Sequence, residues 1–141
     1  MSERLDLLAA YFESITKATL PQLRNFYAPD AYFKDPFNEV RDVASIEHIF
    51  AEMYVSLHEP RFLVYGKVEQ GDEAFLTWGF NFRIKKYKPH VVQTIRGSSH
   101  LQFDEQGRVC YHRDYWDAAE ELYEKLPIVG GLMRFLKKRV G

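Results

Sequence analysis

The chain has 141 residues, of which 46% are hydrophobic and 28% charged, and its net charge is −1. This length favours one domain spanning residues 1–141. The near-neutral charge argues against nucleic acid as a partner.

No apolar run approaches the roughly 20 residues of a membrane span, so membrane contact is not expected. The N-terminal MSERLDLLAA lacks a signal-peptide pattern, and the lone Cys110 excludes an intrachain disulfide and a cysteine metal cluster. Together these features indicate a cytoplasmic protein.

Three helices are predicted before residue 58. Helical spacing of apolar residues predicts the first over residues 3–16. Residues 19–27 form the second, with Pro21 in its first turn. Residues 31–35 are predicted to be extended, because Pro36 disfavours a helical Asp35. Asp42 is a good N-cap for the third helix, whose apolar face runs to Leu57.

After Pro60 the pattern changes to β-branched and aromatic strands. Residues 61–68 and 74–84 form a hairpin through the turn at 70–72, and residues 90–103 and 108–116 form a second hairpin through 104–107. Gly97 lies in the middle of a strand, which predicts a bulge or a bend. In strand 74–84, sequence leaves open which face points inward: the one with Leu76, Trp78, Phe80 and Phe82, or the one with Thr77, Gly79, Asn81 and Arg83.

The tail at 117–141 is predicted to be helical, with a break at Pro127. It is amphipathic with a basic end, so it is expected to act as a lid or a dimer contact, the alternative being a membrane-surface segment. The order of elements indicates an α+β cone, in which a curved antiparallel sheet wraps on the N-terminal helices. Such a cone encloses a conical cavity. The high aromatic content of 16% fits a lined cavity or an apolar interface, and equally an aromatic core.

Two stretches, YAPDAYFKDPF and GRVCYHRDYWD, together with the order of elements, resemble the nuclear transport factor 2-like superfamily. Within it the chain is similar to the SnoaL-like and ketosteroid isomerase-like proteins, over roughly residues 4–117. The resemblance implies a cone fold that hosts enzymes, binding modules and assembly domains alike.

The resemblance to the steroid isomerases implies two catalytic positions, Tyr11 as a hydrogen-bond donor and Asp35 as the proton-carrying base. The second donor of that family is an acid, and Ser99 stands at its position here. Phe33 and Phe37 flank Asp35 and are expected to bind substrate. Apolar surroundings raise a carboxyl pKa towards values useful for a base. The alternatives are that Asp35 only bonds the backbone of its turn and that Tyr11 is a core residue.

The last strand places Cys110, His112, Asp114 and Trp116 on one face by alternation. It resembles the corresponding strand of limonene epoxide hydrolase-like and SnoaL-like proteins, which implies that this face lines the cavity. Asp114 is then a second catalytic carboxylate, with His112 orienting it or relaying protons, and Trp116 packs on a ligand ring. Alternatively Asp114 is bonded to His112 or to backbone, and Trp116 belongs to the core. The second acid of the epoxide hydrolases is missing, because residues 96–98 read Arg-Gly-Ser.

The sequence therefore predicts a protein that binds a small apolar or carbonyl-containing molecule and acts, if catalytic, as a proton-transfer isomerase or cyclase. The alternatives are a non-catalytic binding or assembly module and an epoxide hydrolase-like enzyme using Asp114. No cofactor is predicted, and the remaining histidines lack metal-site spacing. A homodimer is expected through Tyr111, Arg113 and Tyr115, which alternate away from the cavity face.

Overall fold

The computed structural model describes residues 3–86 and 88–123, without the side chains of residues 122 and 123. Helix α1 spans Glu3–Ser14, a 3₁₀ helix at Leu20–Gln22 leads into α2 (Leu23–Phe26), and α3 spans Val43–Ser56. The strands are β1 (Tyr27–Lys34), β2 (Glu39–Val40), β3 (Leu57–Gln70), β4 (Glu73–Ile84), β5 (Gln93–Phe103) and β6 (Val109–Tyr115). A π-helical turn follows at Ala119–Tyr123. Most of the predicted tail, 124–141, lies outside the described residues.

The six strands form one open sheet in the order β2-β1-β6-β5-β4-β3. The predicted α+β cone is confirmed, and so are the two long hairpins. The sheet is mixed, however, where an antiparallel one was predicted, because β1 pairs with β6 in parallel, Phe33 opposite His112. Two strands so far apart in sequence can pair in either direction, since the chain between them is long enough for a crossover. No helix in the described ranges has the length and hydropathy needed to cross a membrane.

Helices α1 and α3 cover the inner face of the sheet with their apolar sides. Leu5, Leu8 and Phe12 of α1 are buried, as are Ile46 and Phe50 of α3. Their spacing of three and four residues puts each set on one side of its helix. The start of α3 is as predicted: the carboxylate of Asp42 accepts a hydrogen bond from the backbone N–H of Ser45 at 2.7 Å.

Strand β4 turns its larger apolar residues inward. Trp78, Phe80 and Phe82 are 6%, 8% and 4% exposed, whereas Thr77 on the opposite face is exposed. The structure thereby decides the orientation that sequence alone left open. Burying three large rings against the helices removes far more apolar surface from water than burying the small and polar opposite face would.

Gly97 was predicted to mark a bulge or a bend, and the pairing of β4 with β5 has no bulge at this residue. It lies opposite Trp78 in an unbroken β4–β5 register, and a Cβ atom there would lie 2.6 Å from the indole Cη2. Glycine is therefore needed because the indole packs on the backbone. The register instead shifts at Cys110, between the pairs Gln102–Tyr111 and Phe103–Val109. This extra residue breaks the strict alternation that was predicted to put Cys110 on the same face as His112.

Candidate functional site

A cavity of about 170 Å³ lies between α3 and the inner face of the sheet. Its walls are mainly aromatic, with rings from four elements: Phe33, Phe50, Phe62, Trp78, Phe80 and Phe82. Phe37 and Trp116 also line it and meet edge to face, with ring centroids 5.4 Å apart. An apolar cavity of about 150 Å³ is known to hold benzene. The enclosed space therefore fits roughly one ring, and a larger ligand must extend beyond it.

Asp35 lines this cavity and also closes the turn that follows β1. Its Oδ1 accepts hydrogen bonds from the backbone N–H groups of Phe37 at 2.8 Å and Asn38 at 2.7 Å. The side-chain amide of Asn38 donates to both carboxylate oxygens, at 2.9 and 3.0 Å. The turn bonds predicted as the alternative for Asp35 are therefore present, and its carboxyl group also lies at the cavity wall. The turn holds the carboxyl group rigidly at the cavity wall.

The pKa of Asp35 is raised from 3.8 to about 6, chiefly by burial, and the nearby carboxylate of Asp114 acts in the same direction. The hydrogen bonds from Phe37 and Asn38 oppose this rise, since they stabilise the charged form. The effect of desolvation on the pKa exceeds that of the hydrogen bonds because most of the surrounding surface is aromatic. A carboxyl group with a pKa near 6 is mostly ionised at neutral pH and still accepts and returns a proton readily.

Asp114 is the second carboxylate in the cavity wall, and a chain of buried donors holds it in place. Its Oδ1 accepts hydrogen bonds from the Ser99 hydroxyl at 2.5 Å and from His112 Nε2 at 2.6 Å. Ser99 in turn accepts a hydrogen bond from the indole N–H of Trp78 at 2.9 Å. Within the described part of the chain, nothing donates to Asp114 Oδ2. One oxygen is therefore anchored, and the other remains available to a ligand.

Tyr27 ends this chain of hydrogen bonds and determines the tautomer of His112. Its hydroxyl lies 2.6 Å from His112 Nδ1, and both residues are buried. Burial raises the pKa of Tyr27 well above 10, so the phenol keeps its proton. The hydroxyl has no other acceptor among the described residues, so it donates to Nδ1. The proton of the neutral imidazole then lies on Nε2 and is donated to Asp114, an assignment made from the hydrogen-bond network.

The structure gathers most of the predicted site residues and separates one. Asp35, Asp114, Trp116, Phe33 and Phe37 line the cavity. Ser99 and His112 border a space of about 20 Å³ that adjoins it and shares Asp114 with it.

Tyr11 is not brought to the cavity. It is buried, and its hydroxyl donates to the backbone carbonyls of Thr19 at 3.0 Å and Leu20 at 3.2 Å. Its ring stacks on Phe26, with centroids 4.6 Å apart. The alternative of a core tyrosine describes this geometry, in which the hydroxyl ties α1 to the connection that follows it.

Among the residues of the site that were not singled out in sequence, Asn38, Tyr27 and Trp78 form its hydrogen bonds. Asn38 carries a local signal, because an amide three residues after an aspartate is well placed to complete its turn. Tyr27 has no such signal, since its contact with His112 depends on pairing between strands 85 residues apart. The contact of Trp78 with Ser99 follows only once the register of β4 and β5 is known.

Solved structures with the same architecture are numerous. A hypothetical protein with a ketosteroid isomerase-like fold from Catenulispora acidiphila, solved in complex with trimethylamine, has a TM-score of 0.71 at 14% identity, covering 87% of this chain and 92% of that one. A putative SnoaL-like polyketide cyclase from Shewanella putrefaciens has a TM-score of 0.73 at 19% identity, covering 91% and 98%. An LEH-like epoxide hydrolase from M. tuberculosis has a TM-score of 0.71 at 13% identity, covering 95% of both chains. At such identities the likeness shows the fold alone.

No curated protein is significantly similar to the chain in sequence. The SnoaL-like domain family matches residues 8–112, which include the second half of α1, all of α2 and α3, Asp35 and most of the sheet. The predicted family is therefore confirmed: the chain belongs to the SnoaL-like domain family, within the nuclear transport factor 2-like fold.

Proposed function

We propose that the chain binds a small, largely apolar carbonyl compound and transfers a proton on the carbon next to its carbonyl group. Asp35 acts as the base: the C–H bond breaks, its proton goes to the carboxylate, and its electron pair forms an enolate. Returning the proton to the same or another carbon completes an isomerisation. The observation that supports this best is the pKa of about 6 for a carboxyl group fixed in an aromatic wall.

Asp114 has a supporting part in this proposal. Its negative charge helps to raise the pKa of Asp35. The hydroxyls of Tyr11 and Ser99, expected from the resemblance to contact the enolate oxygen, donate to protein acceptors instead. Enolate stabilisation must therefore come from another group in the cavity or from the substrate itself.

The test is hydrogen exchange on a panel of ring-sized ketones in heavy water, followed by NMR. We expect the unchanged protein to speed deuterium incorporation next to the carbonyl, and Asp35→Asn to lower that rate by a factor of about 10² or more. Asp30→Asn removes an exposed carboxylate from β1, the strand that leads to Asp35. It is the matched control and should retain the full rate. Ligand binding without exchange would point to a non-catalytic binding module instead.

An epoxide-opening reaction is the second candidate, and the unbonded Oδ2 of Asp114 favours it. In this reaction Asp114 would draw a proton from water, whose oxygen attacks one epoxide carbon. The protonated form of Asp35 would donate to the oxygen as the ring opens. Adding a ring-sized epoxide to the same panel separates the two reactions, because only the second yields a diol.

We also propose that the outer face of the sheet pairs two copies of the chain. Tyr115 is 46% exposed there, and the guanidinium carbon of Arg113 lies 4.8 Å from its ring centroid. Aromatic residues and arginine are enriched at such interfaces. Light scattering at micromolar concentration should give twice the chain mass, and Tyr115→Lys should shift it towards the monomer. A monomer mass for the unchanged protein would contradict the proposal.

A further inference from the structure

The cavity wall contains more acidic than basic side chains. Three carboxylate residues line it: Asp35, Glu52 and Asp114. Among the described residues that line it there is no lysine or arginine, and His48 is the only residue able to carry a positive charge. The wall is therefore acidic as well as aromatic.

The donors that hold Asp35 and Asp114 are neutral groups. Asp35 accepts from two backbone N–H groups and the Asn38 amide. Asp114 accepts from the Ser99 hydroxyl and from His112, whose contact with Tyr27 assigns it the neutral form. Within the described ranges, no Lys or Arg pairs with either carboxylate, and the contact of His112 with Asp114 is not an ion pair when Nδ1 accepts from Tyr27. Leaving such charges unbalanced in an apolar wall is costly, and a positively charged ligand would offset that cost.

The aromatic walls favour the same kind of ligand. The face of an aromatic ring attracts a cation, and tryptophan does so most strongly. Trp78 and Trp116 both line the cavity together with Phe62 and Phe80. Such an enclosure stabilises a weakly hydrated alkylammonium group, and a carboxylate on one side balances its charge. The enclosed volume of about 170 Å³ limits the enclosed part of the ligand to roughly one ring.

We propose that the ligand of this cavity is an organic cation, a protonated or quaternary amine of about ring size, with its nitrogen facing Asp114 Oδ2. The binding step stands independently of any reaction. The next step rests on the proposed function: an ammonium group close to the reacting carbonyl stabilises the enolate formed by Asp35. A positive charge on the substrate thus replaces the donors that Tyr11 and Ser99 do not provide.

The experiment compares charged ligands with uncharged ligands of the same shape by calorimetry. The pairs are choline with 3,3-dimethyl-1-butanol and benzylammonium with benzyl alcohol. We expect each cation to bind at least roughly tenfold more tightly than its neutral partner. Asp114→Asn should reduce that preference severalfold, whereas Asp30→Asn should preserve it. If Asp114→Asn fails to fold, the two pairs measured on the unchanged protein decide the question.

Equal or tighter binding of the neutral partners, or no detectable binding of either cation at millimolar concentration, would overturn the proposal. The outcome is distinguishable from a failure of the proposed function. Cations that bind without any deuterium exchange would support this inference and refute the proton-transfer reaction. Deuterium exchange on neutral ketones, together with no preference for cations, would support the proton-transfer reaction and refute this inference.

Discussion

Replacing Asp35 with asparagine is expected to make the protein more stable at pH 7, although the residue carries four hydrogen bonds. The folded-state pKa of about 6 lies above the value of 3.8 for an ordinary aspartate. Between those two pH values the folded chain binds more protons than the unfolded chain, so stability falls as pH rises through this window. Above pH 6 the full cost of the buried charge is present, roughly 3 kcal/mol. Asparagine carries no charge, and its carbonyl oxygen can still accept from Phe37 and Asn38.

Urea unfolding at pH 4, 5, 6 and 7 measures this effect. The stability difference between Asp35→Asn and the unchanged protein should be near zero at pH 4 and grow to at most about 3 kcal/mol at pH 7. Asp42→Asn is the control, and its effect on stability at neutral pH is expected to have the opposite sign. Hydrogen bonds from Ser45 lower the pKa of Asp42, so its charge stabilises the fold at neutral pH and that contribution disappears in acid. A loss of stability in Asp35→Asn at pH 7 would show that the turn bonds outweigh desolvation.

His112→Phe is expected to lower the free energy of unfolding by roughly 2–4 kcal/mol, more than any other single substitution described above. Phenylalanine preserves the aromatic packing on Phe33, whose ring centroid lies 4.8 Å from that of the imidazole. It removes both ring nitrogens, however, so the Tyr27 hydroxyl is left buried without an acceptor and Asp114 loses a donor. Unsatisfied buried polar groups are costly because nothing replaces the water that they gave up.

A double-mutant cycle with Tyr27→Phe tests this cause. Once His112 is phenylalanine, removing the Tyr27 hydroxyl also removes an unpaired group. The double variant should therefore lose less stability than the sum of the two single variants, by roughly 1 kcal/mol. Tyr32→Phe is the matched control, since that hydroxyl bonds Glu39 at the surface, and it should change stability little. Additive losses in the cycle would mean that the Tyr27–His112 bond is not the reason for the effect.

Local patterns in the sequence were enough to predict most of the elements. The apolar spacing in α1 and α3 depends only on the geometry of a helix, and the Asp42 cap on the residues of one turn. The two hairpins have turns of a few residues between strands, so short-range signals predict them too. Pro36 and the flanking phenylalanines, which are neighbours of Asp35 in sequence, likewise indicate an apolar setting for it, whereas its role as a base was inferred from the family resemblance.

Tertiary structure decided everything that depends on which distant segments meet. Tyr11 lies on the buried side of α1 as expected, but the chain after the helix folds back and presents the carbonyls of Thr19 and Leu20 to its hydroxyl. Ser99 meets Asp114 because the two residues are paired across β5 and β6. A shift of that register by one residue would turn one of the two side chains to the other face of the sheet. Sequence thus determined which residues could take part in the site, whereas pairing between distant strands decided which of them face the cavity.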